Sequence, residues 1–363
     1  MGLSLIWSID PKNTLKALSK EAALFFIPLA FCFNKQFIKM GLNTILKNYS
    51  VGMCLFGLYY LGRALIRYSE TYNTNVFFYH ELSADVNAIY LSALFSIPLF
   101  YFLSVKRKTT WDFIALAYLV VFIFLLSSKT VIIIDVLLIA VYFIFYSGMP
   151  KKAKVVAVAA FCIFIAGLGY FGKIKERLLA EYEPNVTVVE GTSVPNGGIN
   201  TLTIKEAWSK PEFTANDYFN GTAFRVYQIR VFKEMLAEDP IFFTGYGLNA
   251  SLKRIEEKGT RHNVYQGDAQ NKGYNAENFH NQYIETFADL GVFGFILLII
   301  LLLYNFKNAV KSKDFVHIAF AILMIALLLT ESFLWRQRGV VFFTMLYCLF
   351  NALSPKGTEK EKI

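Results

Sequence analysis

A single histidine lies where a polar stretch of the chain runs into a long apolar block. His280 and Asn281 end the polar part, and Gly291 and Gly294 follow after nine further residues. An imidazole accepts a proton near neutral pH, so a histidine at a water–lipid boundary is a candidate general base. We expect the two glycines to let the following helix pack closely against a neighbour. The plainer interpretation, which these residues alone leave open, is a solvated surface histidine or a helix-cap partner.

Two arginines lie in a stretch that predicts an amphipathic helix. Arg225 and Arg230 belong to residues 224–236, which end before Asp239-Pro240, and the turn Gly245-Tyr246-Gly247 follows. A guanidinium donates paired hydrogen bonds to phosphate oxygens. Arg225 is therefore the first candidate for binding a phosphate group, and Arg230 is a weaker one. An ordinary helix-face arginine is the alternative.

Further charged residues lie at the ends of apolar blocks. Lys129 follows two serines in a tight turn, where it either binds an anion or extends to lipid head groups. Arg336 and Arg338 are expected to contact lipid phosphates. We interpret Glu331 as their structural counter-ion.

The composition excludes a soluble protein. Of the 363 residues, 55% are hydrophobic and only 17% are charged, which is too few to cover a water-exposed surface. The net charge of +9 is spread in short clusters between apolar blocks, so it does not indicate nucleic-acid binding. The four cysteines lie inside apolar segments without short spacings, which predicts neither a metal site nor a disulfide framework.

The apolar blocks predict an all-α polytopic membrane protein with about nine transmembrane helices. The predicted spans are Ala17–Phe33, Tyr49–Ile66, Asn87–Ser104, Trp111–Ser127, Val131–Ser147, Val155–Gly172, Phe287–Asn305, Val316–Phe333 and Val340–Leu353. The lysine-rich connections alternate with poorly basic ones, and the lysine-rich side is expected to be cytoplasmic.

One large loop separates helices 6 and 7. The predicted domains are N-terminal transmembrane helices over 1–172, a periplasmic catalytic loop over 173–285, C-terminal transmembrane helices over 286–355 and a cytoplasmic tail over 356–363. Within the loop, Gly191–Asn200 is too poor in apolar residues to pack.

The order of these motifs resembles the O-antigen ligase and polymerase superfamily over essentially the whole chain. The resemblance is carried by the basic residue after two serines, by Arg225 followed by Pro240 and the Gly-x-Gly turn, and by His280-Asn281 followed by the two glycines. Residues 331–339 are similar to a Glu-Ser…Arg-Gln…Gly stretch in members from the Bacteroidetes group. Lys129 departs from the arginine that is usual in the family. Residues 4–12 resemble a segment that follows several helices in relatives, which predicts that N-terminal helices are missing.

The resemblance implies a metal-independent glycosyltransferase of the bacterial inner membrane that needs no cofactor. Such enzymes move a glycan from a polyprenyl-pyrophosphate carrier to an acceptor hydroxyl, here a lipid A–core sugar, on the periplasmic face. In this interpretation His280 is the catalytic base, and the pyrophosphate is bound by Arg225, Lys129 and Arg230. The partners implied are the carrier-linked glycan, the hydroxyl acceptor and membrane lipids, with no nucleic acid.

Two further classes stay open. A polymerase of O-antigen or exopolysaccharide, or a protein O-oligosaccharyltransferase, would use the same motifs with another acceptor. A polysaccharide flippase or transporter is the non-enzyme alternative, and it would place charged residues inside several membrane segments. Arg63, Asp112 and Asp135 are the few such residues here, which favours a catalytic loop.

Overall fold

The computed structural model describes residues 1–33, 41–156, 159, 163, 167, 200–268 and 272–353. These residues are mostly helical, which confirms the helical class, and their strands are the two-residue parallel pair β1 (Asn200–Thr201) and β2 (Asp217–Tyr218). The α-helices are α1 Pro11–Glu21, α2 Ala23–Phe33, α3 Leu42–Thr71, α4 Tyr79–Ser83, α5 Ala88–Ser104, α6 Thr110–Leu125, α7 Lys129–Val141, α8 Ile204–Ser209, α9 Gly221–Glu238, α10 Ser251–Arg261, α11 Gln282–Ser312, α12 Phe315–Leu327 and α13 Gln337–Leu353.

The chain divides into two compact units. Unit 1 comprises Met1–Ala22, Gly169–Ile300 and Leu328–Arg336, and unit 2 comprises Ala23–Leu168, Leu301–Leu327 and Gln337–Ile363. Residues from three separate parts of the sequence therefore build unit 1, which contains the candidate site.

Several predicted spans coincide with long or apolar helices. Among the described residues, three segments are long and apolar enough to cross a membrane, and they are Leu42–Thr71, Lys129–Tyr146 and Gln282–Ser312. The helices Ala88–Ser104, Thr110–Leu125 and Phe315–Leu327 are apolar but shorter. The predicted span Val155–Gly172 lies outside the described residues except at a few positions. Gly191–Asn200, apart from Asn200, and the predicted tail 356–363 lie outside them as well.

The first predicted span, Ala17–Phe33, is divided in the structure at Ala22. α1 begins where the Asp10 side chain accepts a hydrogen bond from the Asn13 amide (3.1 Å), and this helix belongs to unit 1. The Thr14 hydroxyl of α1 donates to the Leu248 carbonyl (2.8 Å). The apolar α2 starts at Ala23 and belongs to unit 2. The amphipathic character of α1 explains the break, because its buried face packs on other residues of unit 1.

A continuous apolar core holds unit 1 together. Its central helix α9 is N-capped by Asn220, whose side chain accepts from the amides of Thr222 and Ala223. The buried residues of this core are Leu202, Ala207, Phe213, Phe219, Ala223, Phe224, Tyr227, Val231, Met235, Ile241, Tyr246, Ala250, Ile255, Val264, Phe279 and Ala288. Phe224 and Phe279 each precede a candidate site residue, so the core fixes the backbone at both positions.

The glycine motifs form one backbone contact. The amides of Tyr246 and Gly247 donate to the carbonyls of Ala288 and Asp289 (both 2.9 Å), and the Val292 amide donates to the Phe242 carbonyl (2.8 Å). The Gly-x-Gly turn therefore pairs with the start of the apolar block through main-chain atoms.

Gly291 does not serve helix–helix packing as the sequence indicated. Its φ of +67° interrupts α11, and a Cβ at this position would lie 2.2 Å from the Phe243 carbonyl oxygen. The close neighbour is thus the backbone of the 242–247 turn. Gly294 lies against the side chain of Leu290 in its own helix.

We predict that Gly291→Ala destabilises the protein by at least about 2 kcal/mol, because alanine is strained at positive φ and its methyl group would overlap the Phe243 carbonyl. Thermal unfolding of the purified protein measures this change. Gly62→Ala is the control, since a Cβ at this helical position has no atom within 4 Å. An unchanged melting temperature for Gly291→Ala would refute the backbone contact.

Candidate functional site

The candidate site is built on Leu328–Ser332, the segment that follows α12 in the chain. The backbone carbonyls of Leu328, Leu329 and Thr330 accept hydrogen bonds in turn. Their donors are the Gln282 amide (2.9 Å), the Asn281 side-chain nitrogen Nδ2 (3.0 Å) and the Arg225 Nε (2.9 Å). The His-Asn motif and Arg225, 55 or more positions apart in sequence, therefore meet at one stretch of backbone.

A buried hydrogen-bond chain fixes the far end of this segment. The Ser332 hydroxyl accepts from the Asn281 amide (3.2 Å) and donates to the Glu285 carboxylate (2.9 Å). The same Glu285 oxygen accepts from the Phe279 amide (3.2 Å). The amides on both sides of His280 are thus bonded, so the position of the imidazole is set by the backbone.

Asn281 also begins α11. Its side-chain oxygen accepts from the amides of Tyr283 (3.0 Å) and Ile284 (3.1 Å), which is the hydrogen-bonding pattern of an N-cap. One side chain therefore starts the helix with its oxygen and holds the Leu329 carbonyl with its nitrogen. This double role explains an asparagine directly after the histidine.

His280 faces two carboxylates. Its Nδ1 lies 3.4 Å from Glu331 Oε2, and its Nε2 lies 3.8 Å from Glu277 Oε2. The imidazole side chain is 26% exposed, whereas that of Glu331 is only 6% exposed. The His280 ring packs edge-on against Phe224 at 5.7 Å between centroids. The backbone of His280 has a φ of +48°, a conformation unusual for histidine.

This arrangement gives the two imidazole nitrogens different roles. A buried carboxylate next to Nδ1 favours the tautomer with the proton on that nitrogen. The lone pair then resides on Nε2, which is the nitrogen available as a proton acceptor.

Arg225 lies in the first turns of α9, one residue after the Phe224 that contacts His280. Besides its bond to Thr330, its Nη1 donates to the Gly221 carbonyl (2.8 Å). A guanidinium carries five N–H donors. The two hydrogen bonds to carbonyls fix the orientation of the Arg225 guanidinium and leave its other N–H groups available for an anion. Both bonds go to carbonyls, and within the part of the chain that the structure describes no carboxylate pairs with this guanidinium, which suits a phosphate-binding cation.

Arg230 belongs to a different set of contacts. Its Nε donates to Glu234 (2.9 Å) and its Nη1 to the Lys210 carbonyl (2.7 Å). Glu234 also lies 3.1 Å from Nε2 of the buried His262, whose Nδ1 is 3.0 Å from the Tyr227 hydroxyl. The structure thus places Arg230 in an ion-pair network of unit 1, apart from the Leu328–Ser332 segment that joins Arg225 to His280.

Lys129 is the first residue of α7 and belongs to unit 2. Ser127 before it has a φ of +51°, which forms the expected tight turn between α6 and α7. Lysine at a helix N-terminus adds its charge to the positive end of the helix dipole, and both favour an anion.

The sequence does not reveal the main contact of Glu331. Arg336 and Arg338 are the partners expected from the sequence, but the structure places the Glu331 carboxylate against His280. Arg336 instead stacks on Trp335, with 5.6 Å from its guanidinium carbon to the ring centroid, and Arg338 donates to the Asp85 carbonyl (3.2 Å). His280 and Glu331 are 51 positions apart, and no sequence spacing indicates that they are in contact.

In the described part of the chain, His, Cys, Asp and Glu residues form no cluster of three that could hold a metal ion.

Comparison with known proteins identifies the family of this chain. The O-Antigen ligase family (Wzy_C) matches residues 114–299, about half of the chain, and this range includes Lys129, Arg225 and His280. The protein therefore belongs to the O-antigen ligase family, whose members are multi-pass membrane proteins and glycosyltransferase-like enzymes acting on lipid-linked glycans and lipid acceptors. A search of curated proteins found no match.

The buried His262 makes the stability of unit 1 dependent on pH. Burial lowers the pKa of His262, with Glu234 partly opposing this effect. Because the unfolded chain then binds a proton more readily than the folded one, folding stability is complete above the unfolded pKa of about 6.5 and is lost as the pH falls below it.

We predict that His262→Gln removes one source of destabilisation on acidification, so its melting temperature falls less, or rises more, between pH 7.5 and pH 5 than that of the wild type. Thermal unfolding across this pH range is the measurement. His80→Gln, at an exposed position, is the matched control. An identical pH dependence in wild type and His262→Gln would contradict the assignment.

Proposed function

We propose that the protein is an O-antigen ligase-like glycosyltransferase. In this proposal it moves a glycan from a polyprenyl-pyrophosphate carrier to an acceptor hydroxyl, a lipid A–core sugar. The observation that supports it most strongly is the convergence of His280 and Arg225 on neighbouring residues, since the imidazole contacts Glu331 and the guanidinium bonds to Thr330. A proton acceptor beside an anion-binding cation is what displacement of a diphosphate by a hydroxyl requires.

The proposed reaction is a single displacement at the anomeric carbon of the glycan. The acceptor oxygen forms a bond to that carbon while His280 Nε2 takes the hydroxyl proton. The bond between the anomeric carbon and the diphosphate oxygen breaks, and the electron pair leaves with the carrier diphosphate. Arg225 stabilises the negative charge that develops on this leaving group, and Glu331 orients and stabilises the imidazolium.

The proposed setting is the bacterial inner membrane, with the active face in the periplasm. The proposed topology has about nine transmembrane helices. Residues 173–285 form the periplasmic catalytic loop between helices 6 and 7. Lys129 is the second proposed contact for the pyrophosphate. Arg230 is a weaker candidate, because its guanidinium already pairs with Glu234 and bonds to the Lys210 carbonyl.

An O-antigen or exopolysaccharide polymerase and a protein O-oligosaccharyltransferase would use the same two residues on another acceptor. Analysis of the product separates them, because a ligase labels lipid A–core, a polymerase lengthens carrier-linked chains and the third class labels an exported protein. A flippase would instead place charged residues inside several membrane segments. His280 and Arg225 both belong to the predicted loop 173–285, which favours an enzyme.

We predict that His280→Ala and Arg225→Ala each reduce glycan transfer about 100- to 10,000-fold, because they remove the base and the leaving-group cation. Membranes from a deletion strain complemented with each variant are analysed for acceptor-linked and carrier-linked glycan. If the protein is a ligase, acceptor-linked glycan should disappear while carrier-linked glycan accumulates. His80→Ala and Arg261→Ala, at exposed positions, are matched controls. Wild-type glycan in both site variants would refute the mechanism.

Glu331→Gln is predicted to reduce the turnover rate about 10- to 100-fold, because the amide no longer holds the imidazole tautomer or its positive charge. Donor binding should be retained, since Arg225 bonds to the Thr330 backbone rather than to the Glu331 side chain. Steady-state kinetics with donor titration separates the two quantities. A raised donor KM with normal kcat would show that Glu331 has no part in proton transfer.

A further inference from the structure

Unit 2 contains a large apolar groove that the proposed reaction does not use. The groove has a volume of 730 Å³ and is formed by α2, α3, α5 and α13. Aromatic and aliphatic side chains cover its walls, for example Phe56, Leu94 and Leu346. A cavity of this size is typical of ligand-binding sites, and its apolar walls favour hydrocarbon over water.

One end of the groove is charged. Arg63 of α3 forms an ion pair with Asp85, and Arg338 of α13 donates through Nη1 to the Asp85 carbonyl (3.2 Å). We call these three residues the rim. The Arg63 guanidinium also lies 5.6 Å from the centroid of the Tyr59 ring, which holds it above the groove.

The rim has a surplus of one positive charge. The hydrogen bond and the positive charge of Arg63 lower the pKa of Asp85, so this carboxylate is ionised at neutral pH and compensates one of the two guanidinium groups. A guanidinium offers several N–H donors to phosphate oxygens, and both arginines contact Asp85, Arg63 at its carboxylate and Arg338 at its backbone carbonyl. The remaining charge matches the single negative charge of a phosphodiester and falls short of that of a diphosphate.

We propose that this groove binds an anionic membrane phospholipid, with a hydrocarbon chain between α3 and α13 and its phosphodiester at Arg63 and Arg338. Basic pockets between membrane helices are known to recognise anionic lipid head groups. This binding site is independent of the proposed transfer reaction, because its residues include neither His280 nor Arg225.

The test measures lipid binding to the full-length protein in detergent by native mass spectrometry. The probes are phosphatidylglycerol and phosphatidylcholine with identical acyl chains. We expect tighter binding of phosphatidylglycerol by the wild type, and a loss of about fivefold for Arg338→Gln or Arg63→Gln. Arg67→Gln is the matched control, since Arg67 is one turn further along α3, pairs with Glu81 and does not line the groove.

A second pair of variants tests the groove without changing charge. Val341→Trp places a large side chain in the groove and should prevent binding of both lipids, whereas Leu303→Trp, at an exposed position of α11, should not. This pair keeps the proposal testable if loss of the Arg63–Asp85 ion pair impairs folding.

Three results would overturn the proposal. They are equal affinity for the two lipids, wild-type binding by Arg338→Gln, and displacement of phosphatidylglycerol by an equal concentration of polyprenyl phosphate. The last result would assign the groove to the carrier lipid. His280→Ala should bind phosphatidylglycerol as the wild type does, so failure of this proposal is distinguishable from failure of the transfer mechanism.

Discussion

The candidate site depends on three consecutive backbone carbonyls that accept hydrogen bonds from distant parts of the chain. Beyond the end of a helix the carbonyls have no helical partners, so donors from other segments can bond to them. After α12 the carbonyls of residues 328–330 take their donors from Gln282, Asn281 and Arg225. The interactions that satisfy the backbone are therefore the same ones that bring the arginine and the histidine together.

A second backbone constraint explains the glycine motifs. The turn at 242–247 forms main-chain hydrogen bonds with residues 288–292, and Gly245 and Gly291 lie where any Cβ would overlap the opposing backbone. Asp289, between these contacts, accepts from the amides of Asn249 (2.7 Å) and Ser251 (3.2 Å) at the start of α10. The number of residues between His280 and Gly291 is thus set by the distance from the imidazole to the backbone contact between residues 242–247 and 288–292.

The sequence predicted the elements better than their ends and contacts. The apolar sequence blocks that form α3, α5 and α13 were predicted as helices, because a helix that spans a membrane must be apolar over its whole length. The break at Ala22 and the interruption of α11 at Gly291 were not predicted. Hydropathy depends on how apolar the side chains are and contains no information on backbone conformation. His280, Asn281 and Arg225 were identified from their motifs, but Glu331 was assigned to other partners. That contact depends on the tertiary fold, which joins parts of unit 1 that are far apart in the chain.

In the proposed reaction, Arg225 and the segment after α12 bind the diphosphate of a carrier-linked glycan beside His280. The most direct measurement is photo-crosslinking in membranes with a polyprenyl-diphosphate glycan whose reactive group is next to the diphosphate. We expect labelled peptides from Gly221–Glu238 and Leu328–Arg336, with labelling lost in Arg225→Ala and retained in His280→Ala. Undiminished labelling in Arg225→Ala, or labelling confined to peptides remote from these two, would contradict this proposal.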